Sequence, residues 1–273
     1  MIHLRSISRK TSKPLPETFP FHIPIIRALD SIEFTADITL LVGENGSGKS
    51  TLLEAIACAV GSITVGSSSV ETDPTLAEVR ALANHFKLTW NKRTHRGFFL
   101  RSEDFFGFVK HIAQTRADLE SELKRVDREY QDRSAKARGL AKMPFARELG
   151  DLQQYYGEGL DAQSHGESYF KLFNARFVPD GLYLLDKPEM PLSPSRQLSF
   201  LNMLNMLVGQ NAQFIIATHS PILLAYPGAT ILSCDGGQVH EVSYDELEHV
   251  NITRDFLNNR ESYLRHLMSS DEL

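Results

Sequence analysis

The sequence predicts an α/β fold in which a mixed sheet is flanked by helices and carries an inserted helical lobe. Three observations support this prediction. Short apolar segments rich in β-branched residues recur in both halves of the chain, as the buried strands of a sheet require. A glycine-rich turn at residues 43–51 follows one such strand and precedes a helix. Residues 105–156 are instead charged and helix-periodic, which indicates a separate helical unit.

The length of 273 residues suits one large α/β domain with an inserted lobe. We therefore predict a single domain whose α/β core comprises residues 1–104 and 157–273, with about 105–156 as the inserted lobe. No apolar stretch is long enough to span a bilayer and the N-terminus lacks a signal-peptide core, so we expect a cytoplasmic protein. Cys58 and Cys234 are too few for a disulfide framework and are expected to be reduced.

The first forty residues are predicted to begin the fold with antiparallel β-structure. Strand patterns cover residues 2–8 and 31–34. The segment between them is rich in proline, which is typical of a connection rather than a strand.

The next element is a complete phosphate-binding motif, G-x-x-x-x-G-K-[ST], between an apolar strand at 38–42 and a helix-forming segment at 51–57. Its glycines let successive backbone N–H groups point inward at a triphosphate, and the helix start adds a positive dipole end. We expect Lys49 to neutralise the β and γ phosphates and the Ser50 hydroxyl to ligate Mg²⁺. The predicted nucleotide-binding residues are Gly43, Glu44, Asn45, Gly46, Ser47, Gly48, Lys49, Ser50 and Thr51.

A helix at 76–85 and two short strands at 86–90 and 97–100 are predicted to follow, the strands joined by a basic turn. The lobe comes next. Between Lys124 and Arg147 it holds eight basic residues against three acidic ones, a net charge of +5. A solvated helical face explains such a run, and so does contact with DNA or an acidic partner; the sequence leaves both interpretations open. The whole chain carries a net charge of −5, which argues against a general nucleic-acid-binding field.

Beyond the lobe the strand and helix patterns alternate again. Strands are predicted at 181–186, 213–217, 230–233 and 239–242, a helix at 198–207, and a charged helical tail from about residue 245. The first of these strands ends in Asp186. We expect it to pack beside the phosphate-loop strand and to bring this carboxylate to Mg²⁺. His219 follows the strand at 213–217, where its side chain can reach a γ-phosphate.

The segments GENGSGKST, GLYLLDKPE, LSPSRQ and ATHSP together resemble an ATP-binding-cassette (ABC) ATPase. The resemblance is strongest to the soluble SMC/RecF-like branch and its short ATPase relatives, and it covers most of the chain. It implies a P-loop NTPase fold of the ABC type, with ATP and Mg²⁺ bound. It places a signature loop at residues 163–167, where Ser164, Gly166 and Glu167 would contact nucleotide held by a second copy. Glu103 is our candidate for the Mg²⁺ ligand that the family draws from a glutamine.

The resemblance also implies a homodimer formed on ATP binding. In it, two chains pair head to tail around two nucleotides, and residues 191–194 contact their twin. Such a dimer would switch an unknown protein effector, in DNA maintenance or in defence against foreign DNA. DNA contact through the basic lobe is a further expectation. Asp186, Lys187 and His219 are the predicted catalytic positions.

Lys187 departs from the family, in which a glutamate directly after the aspartate polarises the attacking water. A lysine cannot accept a proton at neutral pH unless burial strongly depresses its pKa. Its ammonium is better suited to a γ-phosphate, so we expect tight ATP binding and poor hydrolysis. Three explanations stay open: an engineered substitution, a natural loss of catalysis, or catalysis by another residue. Glu189 lies close in sequence but after Pro188, where the strand is expected to have ended.

The same residues bear on other functions. A non-catalytic ATP-sensing scaffold is favoured by Lys187. The motor subunit of a transporter fits the signature loop less well. Small-molecule kinases and GTPases do not explain the order of Ser164, Asp186 and His219, and the guanine motif N-K-x-D is absent from the sequence.

Overall fold

The structure is a computed structural model that describes residues 1–10, 15–65, 70–157 and 165–268. The strands are β1 (Leu4–Arg9), β2 (Ser31–Glu33), β3 (Ile38–Val42), β4 (Phe86–Trp90), β5 (Gly97–Arg101), β6 (Leu182–Asp186), β7 (Gln213–Ala217), β8 (Thr230–Ser233) and β9 (His240–Val242). The helices are α1 (Pro24–Ala28), α2 (Lys49–Val60), α3 (Ala77–Ala83), α4 (Ser102–Glu129), α5 (Ala135–Tyr156), α6 (His165–Arg176), α7 (Pro194–Val208), α8 (Pro221–Leu224), α9 (Glu248–Asn258) and α10 (Arg260–Met268).

The main sheet has six strands in the order β5-β6-β7-β3-β8-β9. All neighbours pair in parallel except β8 and β9, which are antiparallel. Every residue of β3, β6 and β7 is buried, because helices cover both faces of this sheet. The predicted α/β fold with a mixed sheet and flanking helices is therefore confirmed.

One expectation about this sheet is wrong. The strand that ends in Asp186, β6, does not pack beside the phosphate-loop strand β3, because β7 lies between them. The register places Asp186 opposite Ala217 of β7, and Leu41 of β3 opposite the same alanine. Helix α2 follows β3 after the loop at 43–48 and packs on both β7 and β6, so Ser50 in its first turn still reaches Asp186.

A second, smaller sheet has the order β2-β1-β4 and is antiparallel, as the predicted start of the chain requires. The two strands predicted on either side of the basic turn at 91–96 belong to different sheets. β4 pairs with β1, and β5 pairs with β6. Their burial explains the difference: β4 alternates between buried and more exposed residues, whereas β5 is buried along most of its length.

The two faces of the main sheet carry separate parts of the core. One face packs on α2, where Leu52, Leu53 and Ile56 are completely buried. The other face is aromatic: Phe177 packs edge-on to Tyr183 at a centroid distance of 4.7 Å, and Tyr183 stacks on Phe214 at 5.0 Å. This tight packing on both sides holds the carboxyl ends of β3, β6 and β7 in fixed positions.

Helices α4 and α5 pack against each other and occupy residues 102–156, the range predicted as the lobe together with three residues before it. Leu119 and Val126 of α4 are buried. Within the described residues, no helix is both long and apolar enough to cross a membrane.

Candidate functional site

The phosphate loop joins β3 to α2, and its glycines adopt the conformations that the motif requires. Gly43, Gly46 and Gly48 have φ values of 147°, 86° and 99°. A Cβ atom at Gly48 would lie 2.8 Å from a side-chain carbon of Ile23, so this position also lacks room for a larger residue. These backbone angles allow the N–H groups of the loop to turn toward one centre.

An acidic side chain from the end of β8 supports the loop from outside. Asp235 accepts a hydrogen bond from the backbone N–H of Glu44 at 2.7 Å. The same carboxylate fills the space beside Gly43, where a Cβ atom would approach its oxygen to 2.8 Å. The start of the loop is therefore fixed by a contact from the neighbouring strand as well as by its own turns.

Lys49 is buried at the centre of the loop. Its Nζ donates hydrogen bonds to the carbonyl oxygens of Gly43 at 2.6 Å and Glu44 at 2.8 Å. Burial lowers the pKa of Lys49, and the nearby charge of Lys187 lowers it further. The loop thus presents a cation surrounded by its own backbone, where the resemblance places the β and γ phosphates.

Ser50 and Asp186, the two predicted Mg²⁺ ligands from different elements, are in contact. The Ser50 hydroxyl is hydrogen-bonded to the Asp186 carboxylate. Asp186 is buried, and its Oδ1 atom has no hydrogen-bond partner among the described residues. Burial raises the pKa of Asp186, while Ser50 and Lys187 lower it. A hydroxyl beside a carboxylate with a free buried oxygen suits a hard cation such as Mg²⁺.

Glu103, the third predicted Mg²⁺ ligand, lies in the first turn of α4. Its charge raises the pKa of Asp186, so the two carboxylates are near each other. However, the Glu103 side chain is 76% exposed, and it forms a long ion pair with Arg101 at 3.9 Å. The structure therefore gives this position weaker support as a ligand than Ser50 and Asp186.

Sequence reasoning missed a buried ion network next to this site. Arg101 ends β5 directly opposite Asp186 of β6. Its guanidinium donates to Asp73 at 2.8 Å and to Asp104 at 2.6 Å, and it lies 3.4 Å from Glu54 of α2. The sequence offered one signal for this network: Arg101 is a charged residue at the end of an apolar strand. The network ties the end of β5 to α2, the helix that carries Ser50.

Lys187 directly follows Asp186 and has a positive φ of 50°. Its backbone N–H donates to the carbonyl of Ala217 at 2.8 Å. The side chain lines a cavity over the phosphate loop together with Lys49 and Ser50. Two lysines therefore line one cavity over the phosphate loop.

Glu189 and His219 follow the carboxyl ends of β6 and β7, and His219 lines a second cavity with Gly43 and Glu44 of the phosphate loop. Glu189 Oε1 accepts a hydrogen bond from the backbone N–H of His219 at 2.9 Å. The other carboxylate oxygen, Oε2, and the His219 Nε2 atom are both buried without a partner in the part of the chain that the structure describes. Burial lowers the pKa of His219, as do the charges of Lys49 and Lys187.

The predicted signature loop is described only in part. Ser164 lies outside the described residues. Gly166 and Glu167 belong to the first turn of α6, and Glu167 pairs with Arg196 of α7 at 3.2 Å. Their contact with nucleotide on a second chain stays a prediction.

Two aromatic residues that sequence reasoning did not select lie beside the phosphate loop. Phe19 and His22 line the same cavity as Lys49 and Lys187, and Phe19 is 43% exposed. Their ring centroids are 6.1 Å apart. They belong to the proline-rich segment between β1 and β2, which was expected only to connect two strands. An exposed aromatic pair at this place offers a surface for a nucleotide base.

One protein family and several solved structures are similar to this chain. The AAA domain family matches residues 22–171, more than half of the chain. No curated protein matches the chain. Among solved structures, it is similar to the Smc head domain of Pyrococcus furiosus, crystallised with the C-terminal domain of ScpA, at 12% identity. The similarity covers 94% of this chain and 100% of that chain, with a TM-score of 0.47.

Two further solved structures are similar over most of their length. The SMC head domain from Thermotoga maritima is 14% identical, with 89% of this chain and 99% of that chain covered and a TM-score of 0.42. CbiO1 from Clostridium perfringens, part of an ABC transporter complex, is 17% identical, with 98% and 99% covered and a TM-score of 0.48. The chain belongs to the AAA domain family.

Proposed function

We propose that this ATPase-family chain binds ATP·Mg²⁺ tightly, pairs head to tail with a second copy in that state, and hydrolyses the nucleotide slowly. The ATP-bound dimer would then act as a switch for a partner protein. The observation that carries this proposal is the position of Lys187. Lys187 lines the phosphate-loop cavity together with Lys49 and directly follows Asp186, the predicted Mg²⁺ ligand.

The binding of ATP is supported by groups that match each part of the nucleotide. The loop N–H groups and Lys49 suit the phosphates, and Phe19 with His22 suits the base. Ser50 and Asp186 would hold Mg²⁺, which neutralises charge on the β and γ phosphate oxygens. Gly43 and Gly46 keep the loop backbone open to this ligand.

Slow hydrolysis follows from the charge of Lys187. An ammonium group attracts a γ-phosphate but has no lone pair with which to accept a proton from water. With a second cation beside Lys49, the bound triphosphate is held more firmly in the ground state. An interaction that is equally strong in the ground state and the transition state does not raise the rate of the chemical step.

Pairing of two chains is supported by the turn at 187–193, which would meet a second copy. Met190 in this turn is 65% exposed. Gln197 connects this turn to the segment after β7. Its Nε2 donates to the carbonyl of Leu192, and its Oε1 accepts from the Ser220 hydroxyl. A γ-phosphate that bridges two copies stabilises the dimer by mass action, and its loss releases it.

The test is the molar mass of the protein measured by light scattering during gel filtration. We expect the mass to double with ATP·Mg²⁺ and to stay monomeric with ADP. Lys49→Ala is the matched control, because it removes the phosphate-binding cation and should stay monomeric throughout. Calorimetry on the same samples separates the two parts of the proposal. A heat of ATP binding without dimer formation contradicts the pairing, and no heat at all contradicts nucleotide binding.

The helical lobe favours DNA as a second ligand. The tip of the α4–α5 pair exposes basic side chains, among them Arg128, Arg133 and Lys136. Neutralising Arg133, Lys136 and Arg138 together should weaken retention on a DNA column and make it less dependent on salt, because fewer counterions are released. Neutralising three cations elsewhere, Arg5, Arg93 and Arg260, is the control. Equal retention of the lobe variant and the wild type would show that the lobe is not the contact.

A further inference from the structure

We infer that Glu189 is the catalytic base for the slow hydrolysis of ATP by this chain, in place of a residue directly after Asp186. The inference rests on the proposed function, since it requires ATP to occupy the phosphate loop. It identifies which group accepts the proton of the attacking water when Lys187 cannot.

Glu189 is brought back to the site by the turn that follows β6. The positive φ of Lys187 reverses the chain at once. Hydrogen bonds from the N–H of Met190 to the carbonyl of Lys187 and from the N–H of Leu192 to that of Glu189 then keep the turn tight. As a result, the Glu189 carboxylate reaches the end of the neighbouring strand β7, where it accepts the N–H of His219 at 2.9 Å.

Three buried polar atoms at the ends of β6 and β7 have no hydrogen-bond partner in the described part of the chain. They are Asp186 Oδ1, Glu189 Oε2 and His219 Nε2. A buried polar atom without a partner is unfavourable, so a group of them at one edge of a sheet indicates a polar ligand that they share. ATP·Mg²⁺ with an attacking water would satisfy all three: the cation would satisfy Asp186, a phosphate oxygen would accept from His219, and the water would donate to Glu189.

The hydrogen bonding of Glu189 leaves its Oε2 atom free to accept a proton from water. Its Oε1 atom is used by the His219 N–H, which fixes the plane of the carboxylate. Burial raises the pKa of Glu189, and the charge of Asp186 raises it further, while the His219 N–H lowers it. A carboxylate with a raised pKa is a stronger base than an exposed one, and this matches its task.

The step is balanced as follows. The water oxygen attacks the γ-phosphorus and forms a new P–O bond, while the bond between that phosphorus and the bridging oxygen breaks and leaves its electron pair on ADP. The proton released by the water passes to Glu189 Oε2 and from there to solvent. The products are ADP and inorganic phosphate, and the carboxylate is restored.

The experiment measures single-turnover phosphate release, ATP binding heat and dimer mass for the wild type, Glu189→Gln and Glu241→Gln. Glu241 lies on β9 with its side chain exposed, so its variant controls for the loss of one negative charge. We expect Glu189→Gln to lose about 100-fold in rate while it binds ATP and dimerises as the wild type does. Its ATP-bound dimer should therefore persist longer. Glu241→Gln should match the wild type in every measurement.

A pH profile separates catalysis from a purely structural role. The wild-type rate should fall as pH drops through the raised pKa of Glu189, and this acid limb should be absent in Glu189→Gln. If that variant does not fold, Glu189→Asp is the second test. It keeps the carboxylate but withdraws it by one methylene, so about a 10-fold loss with the acid limb retained is expected.

The outcomes distinguish the two proposals. An unchanged rate in Glu189→Gln, with ATP binding intact, overturns the role of Glu189 alone. So does a wild type that binds ATP and shows no turnover at any pH. Absence of ATP binding by the wild type overturns the proposed function itself.

Discussion

The carboxylate of Glu189 and the backbone N–H of His219 share a 2.9 Å hydrogen bond that links the segments after two neighbouring strands. A second bond, from the N–H of Lys187 to the carbonyl of Ala217, joins the same two segments. The turn after β6 and the histidine after β7 are therefore a single unit. A ligand that displaces one of them must displace the other, which couples the site to the surface proposed to meet a second copy.

Replacing Lys187 by glutamate should increase hydrolysis. The variant Lys187→Glu supplies a carboxylate directly after Asp186 and removes the competing ammonium. We expect the steady-state rate of phosphate release to rise by about 100-fold. Lys187→Gln is the control, because it removes the charge without adding a base and should bind ATP more weakly with no comparable gain. An unchanged rate in Lys187→Glu would place the base entirely at another residue.

The aromatic pair beside the loop should contribute to recognition of the base. Phe19→Ala removes one ring from the cavity that Lys49 lines. Stacking of a base on an aromatic side chain is worth roughly 1–3 kcal/mol, so ATP binding should weaken by about 5-fold or more. Titration calorimetry with ATP and with tripolyphosphate is the measurement. Equal weakening for both ligands would show that Phe19 supports the loop and does not contact the base.

The stability of the fold should decrease as pH rises toward neutrality because of Glu54. Burial raises the pKa of Glu54 to about 7, although the nearby Arg101 lowers it. The folded chain therefore binds more protons than the unfolded chain between the ordinary carboxyl pKa and about 7, and the free energy of unfolding falls as pH rises through that window.

The variant Glu54→Gln removes this proton and should flatten the dependence of Tm on pH in that window. Thermal unfolding at a series of pH values is the measurement. Glu241→Gln removes an exposed carboxylate and should keep the slope of the wild type. A slope in Glu54→Gln that equals the wild-type slope would show that Glu54 does not titrate there.

Gly97 should be intolerant of substitution. Its φ is +112°, and a Cβ atom would lie 1.8 Å from the carbonyl oxygen of Leu182 on the paired strand β6. Because both strain and collision oppose it, Gly97→Ala should lower the free energy of unfolding by about 3 kcal/mol or more, measured by urea titration.

Gly139 in α5 is the matched control for this test. A Cβ atom there would meet nothing within 4 Å. Gly139→Ala should therefore stabilise the chain by about 0.5–1 kcal/mol, as alanine does in a helix interior. Equal effects of the two substitutions would contradict the steric argument.

The parts of the site that depend on neighbouring residues in sequence could be predicted, because their signal is local. The strand, glycine turn and helix at 38–57 follow from periodicity and residue type alone. The order of the strands could not be predicted in this way, since the position of β7 between β3 and β6 depends on pairing over long separations. The expectation that β6 is adjacent to β3 was wrong for this reason.

Contacts that depend on chain reversal were also hidden in the sequence. Glu189 was expected to lie past the end of its strand, and only the turn at Lys187 shows that it returns to the site. The same holds for Arg101, whose buried partners lie 28 and 47 residues away in sequence. The sequence shows that these residues are charged, but only the tertiary fold decides which atoms they contact.

The bond from the Glu44 N–H to Asp235 has a consequence for how quickly a ligand can be captured. A support from a different strand keeps the entrance of the glycine loop in one shape, so little backbone entropy is lost when phosphate arrives. Association should consequently be limited by diffusion and charge attraction, with no slow rearrangement of the cradle beforehand.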